Sequence, residues 1–294
     1  MRAKYVHHTQ EWLPTEYDPP ASLLSKPFLT AWRVHRDRRG GSVALKLNRG
    51  VGIWNREGRI LHYDQAAADV EFTRDSQVLY SLQNVFGPCV DRDGVRHALV
   101  RRDANTFNAG DLIELCVPKG GVEYLVLGHR ERSCVATWLD QTQWGYVVVD
   151  LVAGHQTSQA FYDQSASLSP PAFSPDDRLV VACCPPRSGW WTEVVDDYWE
   201  QPSPGGRRKV GSIAVHDLST GRITRHEVAV FLPPNWIPDK PTASEWSSIW
   251  GPAFLSDRQF KIWLPDDSEQ ILDLPLPPTV EIRRPIGSTR TWLG

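Results

Sequence analysis

The chain has 294 residues, 23% of them charged, and a formal net charge of -3, which leaves no electrostatic footprint for duplex nucleic acid. No window approaches the run of roughly 18 apolar residues that a membrane-spanning helix needs. Its five cysteines are odd in number and form no Cys-x-x-Cys pair, which suits reduced, buried thiols in a cytoplasmic protein better than a disulfide framework or a zinc site.

The opening "MRAKYVHHTQEWLP" has no apolar core of a signal peptide, and His7-His8 reads as a frayed terminus. "RVHRDRRGG" (33–41) reads as a solvated basic turn, as does "GRRK" (206–209) later on. Helical periodicity is almost absent from the rest. Turn residues punctuate short runs rich in Val, Ile, Leu and Trp, the pattern of an all-β sandwich, barrel or propeller.

Two kinds of unit recur. "VGIWNREGRILHYD" (51–64), "RHALVRRDANTFNAGDLIELCV" (96–117), "GYVVVDLVAGHQTSQAFYD" (145–163) and "GSIAVHDLSTGRITRHEV" (211–228) each read as an apolar strand, a turn and a more polar strand. That gradient is expected of the inner and outer strands of a propeller blade. "VEFTRDSQVLYSL" (70–82), "PAFSPDDRLVVACC" (171–184) and "PAFLSDRQFKIWL" (252–264) form the second kind. There Phe72, Phe173 and Phe254 anchor a strand, and Asp75, Asp176 and Asp257 supply the turn by bonding their own backbone. A two-sheet sandwich would not need this repetition.

"FSPDDRLVV" and "IAVHDLSTGRI" resemble the two most recognisable pieces of a WD-repeat or related β-propeller blade, with His216-Asp217 standing where that family usually has Trp-Asp. The likeness is good over 171–228, fair over 51–82 and 252–274, and poor elsewhere. It implies one all-β propeller domain over residues 1–294, of about five four-stranded blades, with six or seven as the alternatives. Residues 1–30 and 278–294 are expected to pack so as to close the ring.

Two insertions interrupt the repeat, at 185–210 and 232–251. The first contains Trp190, Trp191, Tyr198 and Trp199 among Asp196, Asp197 and Glu200, and the second contains Trp236, Trp246 and Trp250. A chain with 13 tryptophans that concentrates them in inserts has either covered its own core or built a recognition surface. Aromatic anchors ringed by carboxylates fit a protein partner, so these ten residues are the candidate partner-binding site. No catalytic elbow, phosphate loop or metal-ligand spacing is present. The doublets Asp176-Asp177 and Asp266-Asp267 read as turn formers. The expectation is therefore a cytoplasmic, non-catalytic interaction module or scaffold, with no cofactor or metal and no nucleic-acid or membrane partner. Two alternatives stand beside it: a sugar-binding or glycoside-processing propeller with a central pocket, and a structural subunit of a larger complex.

Overall fold

The computed structural model describes residues 33–36, 41–46, 50–55, 57, 59–84, 90–91, 94–117, 120–139, 143–162, 170–184, 207–231, 252–263 and 269–283. Every regular element among them is a β-strand. The chain divides into two compact units, Met1–Gln141 with Gly145–Tyr162 and Thr142–Trp144 with Asp163–Gly294.

The first unit carries three sheets. β1 (Arg33–Arg36), β2 (Ser42–Lys46), β3 (Val51–Asn55) and β4 (Ile60–Asp64) form sheet A in chain order. Sheet B comprises β5 (Ala67–Phe72), β6 (Val78–Gln83), the two-residue β7 (Val90–Asp91), β8 (Gly94–Asp103) and β9 (Ala109–Val117). β10 (Gly121–Leu127), β11 (Ser133–Leu139), β12 (Trp144–Asp150) and β13 (His155–Tyr162) form sheet C, again in chain order. The polarity gradient lies where the sequence puts it. Third strand β12 is buried along nearly its whole length, whereas fourth strands β4 and β9 are largely exposed. The basic "RVHR" is a correction: it is strand β1, paired antiparallel with β2 from Arg33↔Lys46 to Arg36↔Val43. Charge density hid the strand, because backbone pairing is indifferent to side-chain charge.

Among the described residues, two apolar clusters of this unit join consecutive sheets. Ala44, Val51 and Ile53 of sheet A meet Val70, Phe72 and Leu79 of sheet B. Leu82, Leu99 and Leu115 of sheet B meet Leu125, Ala136 and Trp138 of sheet C. A core that continues from sheet to sheet in this way follows from meanders stacked face against face.

The second unit repeats the scheme. Sheet D comprises β14 (Ala172–Phe173), β15 (Leu179–Cys184), β16 (Arg207–Asp217) and β17 (Arg222–Phe231). Sheet E comprises β18 (Ala253–Ser256), β19 (Gln259–Trp263) and β20 (Glu269–Asp273). Val181, Cys183 and Ile213 of sheet D bury against Phe260, Ile262 and Leu272 of sheet E. β21 (Thr279–Arg283) then lies parallel to β17, from Glu227↔Thr279 to Phe231↔Arg283. Of the two ends expected to close a ring, residues 279–283 add to sheet D, and residues 1–30 lie outside the described residues. "RRK" of the supposed basic turn at 206–209 is likewise strand, since β16 starts at Arg207 and pairs it with Phe231.

One turn design serves three sheets. Between first and second strands, the N–H groups of Thr73, Gly128 and Ser174 donate to Val78, Ser133 and Leu179 carbonyls, each at 2.9 Å. Ser76, Glu131 and Asp177 occupy the left-handed position, at φ of 54°, 57° and 59°. Asp75 and Asp176 act as expected: their Oδ1 atoms accept from Gln77 N and Arg178 N at 3.0 Å and from the Thr73 and Ser174 hydroxyls. Phe72 and Phe173 are buried as anchors. The third copy departs. Asp257 Oδ1 accepts Asp176 N at 3.1 Å, so it ties the sheet E turn to the sheet D turn instead of closing its own. In sheet B, Glu131 Oε1 accepts Arg74 N in the same manner. The residue equivalent to Arg74 in sheet D is Pro175, which has no N–H, and the bond moves one residue on.

Candidate functional site

The ten residues expected to meet a partner, Trp190, Trp191, Asp196, Asp197, Tyr198, Trp199, Glu200, Trp236, Trp246 and Trp250, lie outside the described residues, as do Asp266-Asp267 and His7-His8. Their points of attachment are described. β15 ends at Cys184, opposite Ser212, and β17 ends at Phe231, opposite Arg207. Antiparallel strands alternate direction, so the exit of β15, the entry of β16 and the exit of β17 all fall at one end of sheet D. Both insertions therefore spring from the same sheet end. β16 claims 207–210, so the first insertion is shorter than the sequence suggests.

The opposite end of sheet D is made of tight turns. Third strands close on an Asp or Asn: Asn55, Asp103, Asp150, Asp217 and Asp273. Asp103 Oδ1 accepts Asn105 N and Thr106 N at 2.9 and 2.8 Å, and Asp150 Oδ1 accepts Val152 N and Ala153 N, both at 2.8 Å. Asp217 Oδ1 accepts Ser219 N at 2.9 Å and its hydroxyl at 2.6 Å, while Oδ2 holds Arg178 at 2.9 Å. The following residue braces the neighbouring turn. Ala104, Leu151, Leu218 and Leu274 donate to Gln77, Arg132, Arg178 and Arg258 carbonyls at 2.8–2.9 Å. Phe107, Gly154 and Gly221 then fill one left-handed position, at φ of 60°, 72° and 70°. Glycine takes this conformation without strain. Phe107 is held there by burial and by stacking on His62 at 5.2 Å.

The electrostatics follow the bonding. The Arg178 side chain, then the Ser219 hydroxyl, hold the Asp217 carboxyl well below the usual carboxylate range. The preceding His216 is buried; desolvation lowers its pKa, and the Asp217 charge opposes that only partly. Cys134 and Cys183 are buried thiols outside any disulfide, as expected, and burial pushes Cys134 up; Cys116 is instead exposed. It sits on β9, an outer fourth strand, where an apolar sequence run does not mean burial. Among the described residues no group of three or more His, Cys, Asp or Glu is placed to hold a metal. Among the described residues no helix is long and apolar enough to cross a membrane.

A cavity of about 1030 Å³ opens at this turn end of the second unit. Its wall is one face of the β16–β17 hairpin, with Val215 and Asp217 on β16 and Arg222, Thr224 and His226 on β17. Arg178, Arg258 and the 274–276 segment complete it. No feature of the sequence singles it out, because each polar lining residue reads there as an ordinary turn former.

No protein-family model matches the chain, and no curated protein matches it in sequence. Solved structures do resemble it. In the complex of KlAtg21 with the AgAtg16 coiled coil, the match has a TM-score of 0.50 at 11% identity, covering 86% of this chain and 68% of the other. The Myceliophteria thermophila Cps50 (Swd1) β-propeller domain gives 0.44 at 12% identity over 84% and 69%. The RRP9 WD40 repeats give 0.46 at 11% over 84% and 64%. Identity this low speaks to fold alone, and the fold is that of a WD-repeat-like β-propeller.

Proposed function

We propose that the chain is a single, non-catalytic propeller domain, its five described sheets serving as blades, which binds a protein partner in the cytoplasm through its two aromatic insertions. The observation that carries this reading is the common origin of the insertions. Residues 185–206 and 232–251 are both anchored at one end of sheet D, so aromatic residues separated in sequence start from neighbouring strand ends. In the first insertion Trp190, Trp191, Tyr198 and Trp199 would be the apolar anchors, and Trp236, Trp246 and Trp250 would be those of the second. Asp196, Asp197 and Glu200 would steer a basic partner and set the salt dependence of association. The Atg21 structure, which shares the fold, is itself a complex with a coiled coil; that supports a protein as the class of partner.

The test replaces residues 187–205 with a short Gly-Ser linker and compares crosslinked partners from native lysate, alongside Trp190→Ala and Trp199→Ala. The reading expects one partner to disappear with the linker and to weaken with each alanine, by about 2 kcal/mol at a central anchor, while the melting temperature stays put. A large fall in melting temperature with an unaltered partner set would make the insertion structural cover.

A further inference from the structure

The cavity at the turn end of sheet D lies at the end opposite the insertions, and the charges on its wall are unequally committed. Asp176 Oδ1 accepts the Ser174 hydroxyl at 2.6 Å and Arg178 N at 3.0 Å. Asp257 accepts Asp176 N at 3.1 Å, and Asp217 is paired with Arg178 at 2.9 Å. His226 is also engaged: Nδ1–H donates to the Pro277 carbonyl at 2.7 Å, which leaves Nε2 to accept from the Thr224 hydroxyl at 3.3 Å. The guanidinium groups of Arg222 and Arg258 differ. Neither has a hydrogen-bond or ion-pair partner among the described residues, and both line the cavity. The wall's three aspartates and three arginines balance in formal charge, but Arg222 and Arg258 are its two guanidinium groups left without a partner among the described residues, and apolar Val215, Leu274 and Leu276 also line the cavity. A volume near 1030 Å³ is at the upper end of small-molecule sites, which run to roughly 1,000 Å³.

We infer that this cavity binds a small organic molecule carrying a phosphate or carboxylate group, the oxyanion held by Arg222 and Arg258 and the organic body lying on Val215, Leu274 and Leu276. The planar guanidinium fork suits either oxyanion, since both offer paired acceptors. The hydroxyl of Thr220, whose oxygen accepts Arg222 N at 3.3 Å, keeps its proton to donate a neutral hydrogen bond.

Titration calorimetry of the full chain with phenyl phosphate, benzoate and inorganic phosphate, at low ionic strength, tests the site. At least one aromatic oxyanion should bind saturably and more tightly than inorganic phosphate. Arg222→Ala and Arg258→Ala should each weaken it about tenfold or more, and Arg225→Ala, on the other face of β17, should leave it unchanged. A preference for phenyl phosphate over benzoate, or the reverse, assigns the head group. Should either alanine variant melt early, Arg222→Gln and Arg258→Gln keep the side-chain stem and repeat the comparison. The inference is overturned if none of the three probes binds, if inorganic phosphate binds as well as the aromatic probes, or if binding ignores both arginines.

Discussion

At one end of sheet D the connections between strands are tight turns closed by their own bonds; at the other, two long aromatic insertions leave from adjacent strand ends. The turn end is built from short-range bonds. Asp176 and Asp217 cap their own turns, the Leu218 N–H braces the Arg178 carbonyl at 2.8 Å, and Asp257 reaches across from sheet E. The same scheme recurs in sheet B with Asp75, Asp103, Ala104 and Glu131. Such repetition makes the turn end a frame.

Perturbations rank accordingly. Phe260→Ala removes a fully buried ring shared by sheets D and E and should cost about 3–5 kcal/mol in denaturant unfolding. Asp217→Ala strands the Ser219 N–H and the Arg178 charge at once, and about 1–2 kcal/mol is expected by the same measurement. If Trp190 serves recognition, as proposed, its replacement by alanine should cost the fold under about 0.5 kcal/mol. A Trp190 effect as large as that of Asp217 would erase the contrast between the ends.

Acid sharpens it further. Because the folded state depresses the Asp217 pKa, the stability it adds is fully present above the unfolded carboxylate value of about 3.9 and is lost progressively as pH falls below that value and through the lower folded pKa. The stability gap between the native chain and Asp217→Asn should therefore be widest above about pH 5 and should narrow steadily as pH falls below about 4, in urea titrations at stepped pH. The smallest effect belongs to Asp257→Ala, which removes one exposed bond between turns. It should lower stability by about 0.5 kcal/mol, with the loss confined to the second unit in hydrogen exchange.

Most of the frame could be read from sequence because it rests on local rules. The hairpins at 51–64, 96–117, 145–163 and 211–228 are the third and fourth strands of four sheets, each closing on an Asx residue. The Phe-x-x-Asp units at 70–82 and 171–184 are first-to-second-strand turns. The sheet C copy at 128–133 has no sequence signature because Gly128 and Glu131 build the same turn through backbone bonds, with neither the Phe nor the Asp. Asp257 has the right spacing but a different partner, a choice made by the neighbouring sheet. β21 is equally nonlocal, since nothing in "TVEIR" specifies parallel pairing with β17. The cavity is beyond sequence reasoning for a related reason. Residues from 176 to 276 meet there, and only their bonding state separates the committed Arg178 from Arg222 and Arg258.

The independence of the two ends of sheet D is tested most directly by hydrogen–deuterium exchange on the chain and on the variant with 187–205 replaced by a linker. Amides of β15, β16 and β17 around Val181, Ile213 and Val228 should keep the same protection in both. Loss of protection there, with the turn at 217–222 opening as well, would show that the insertion holds the sheet together and would contradict its role as an appended recognition element.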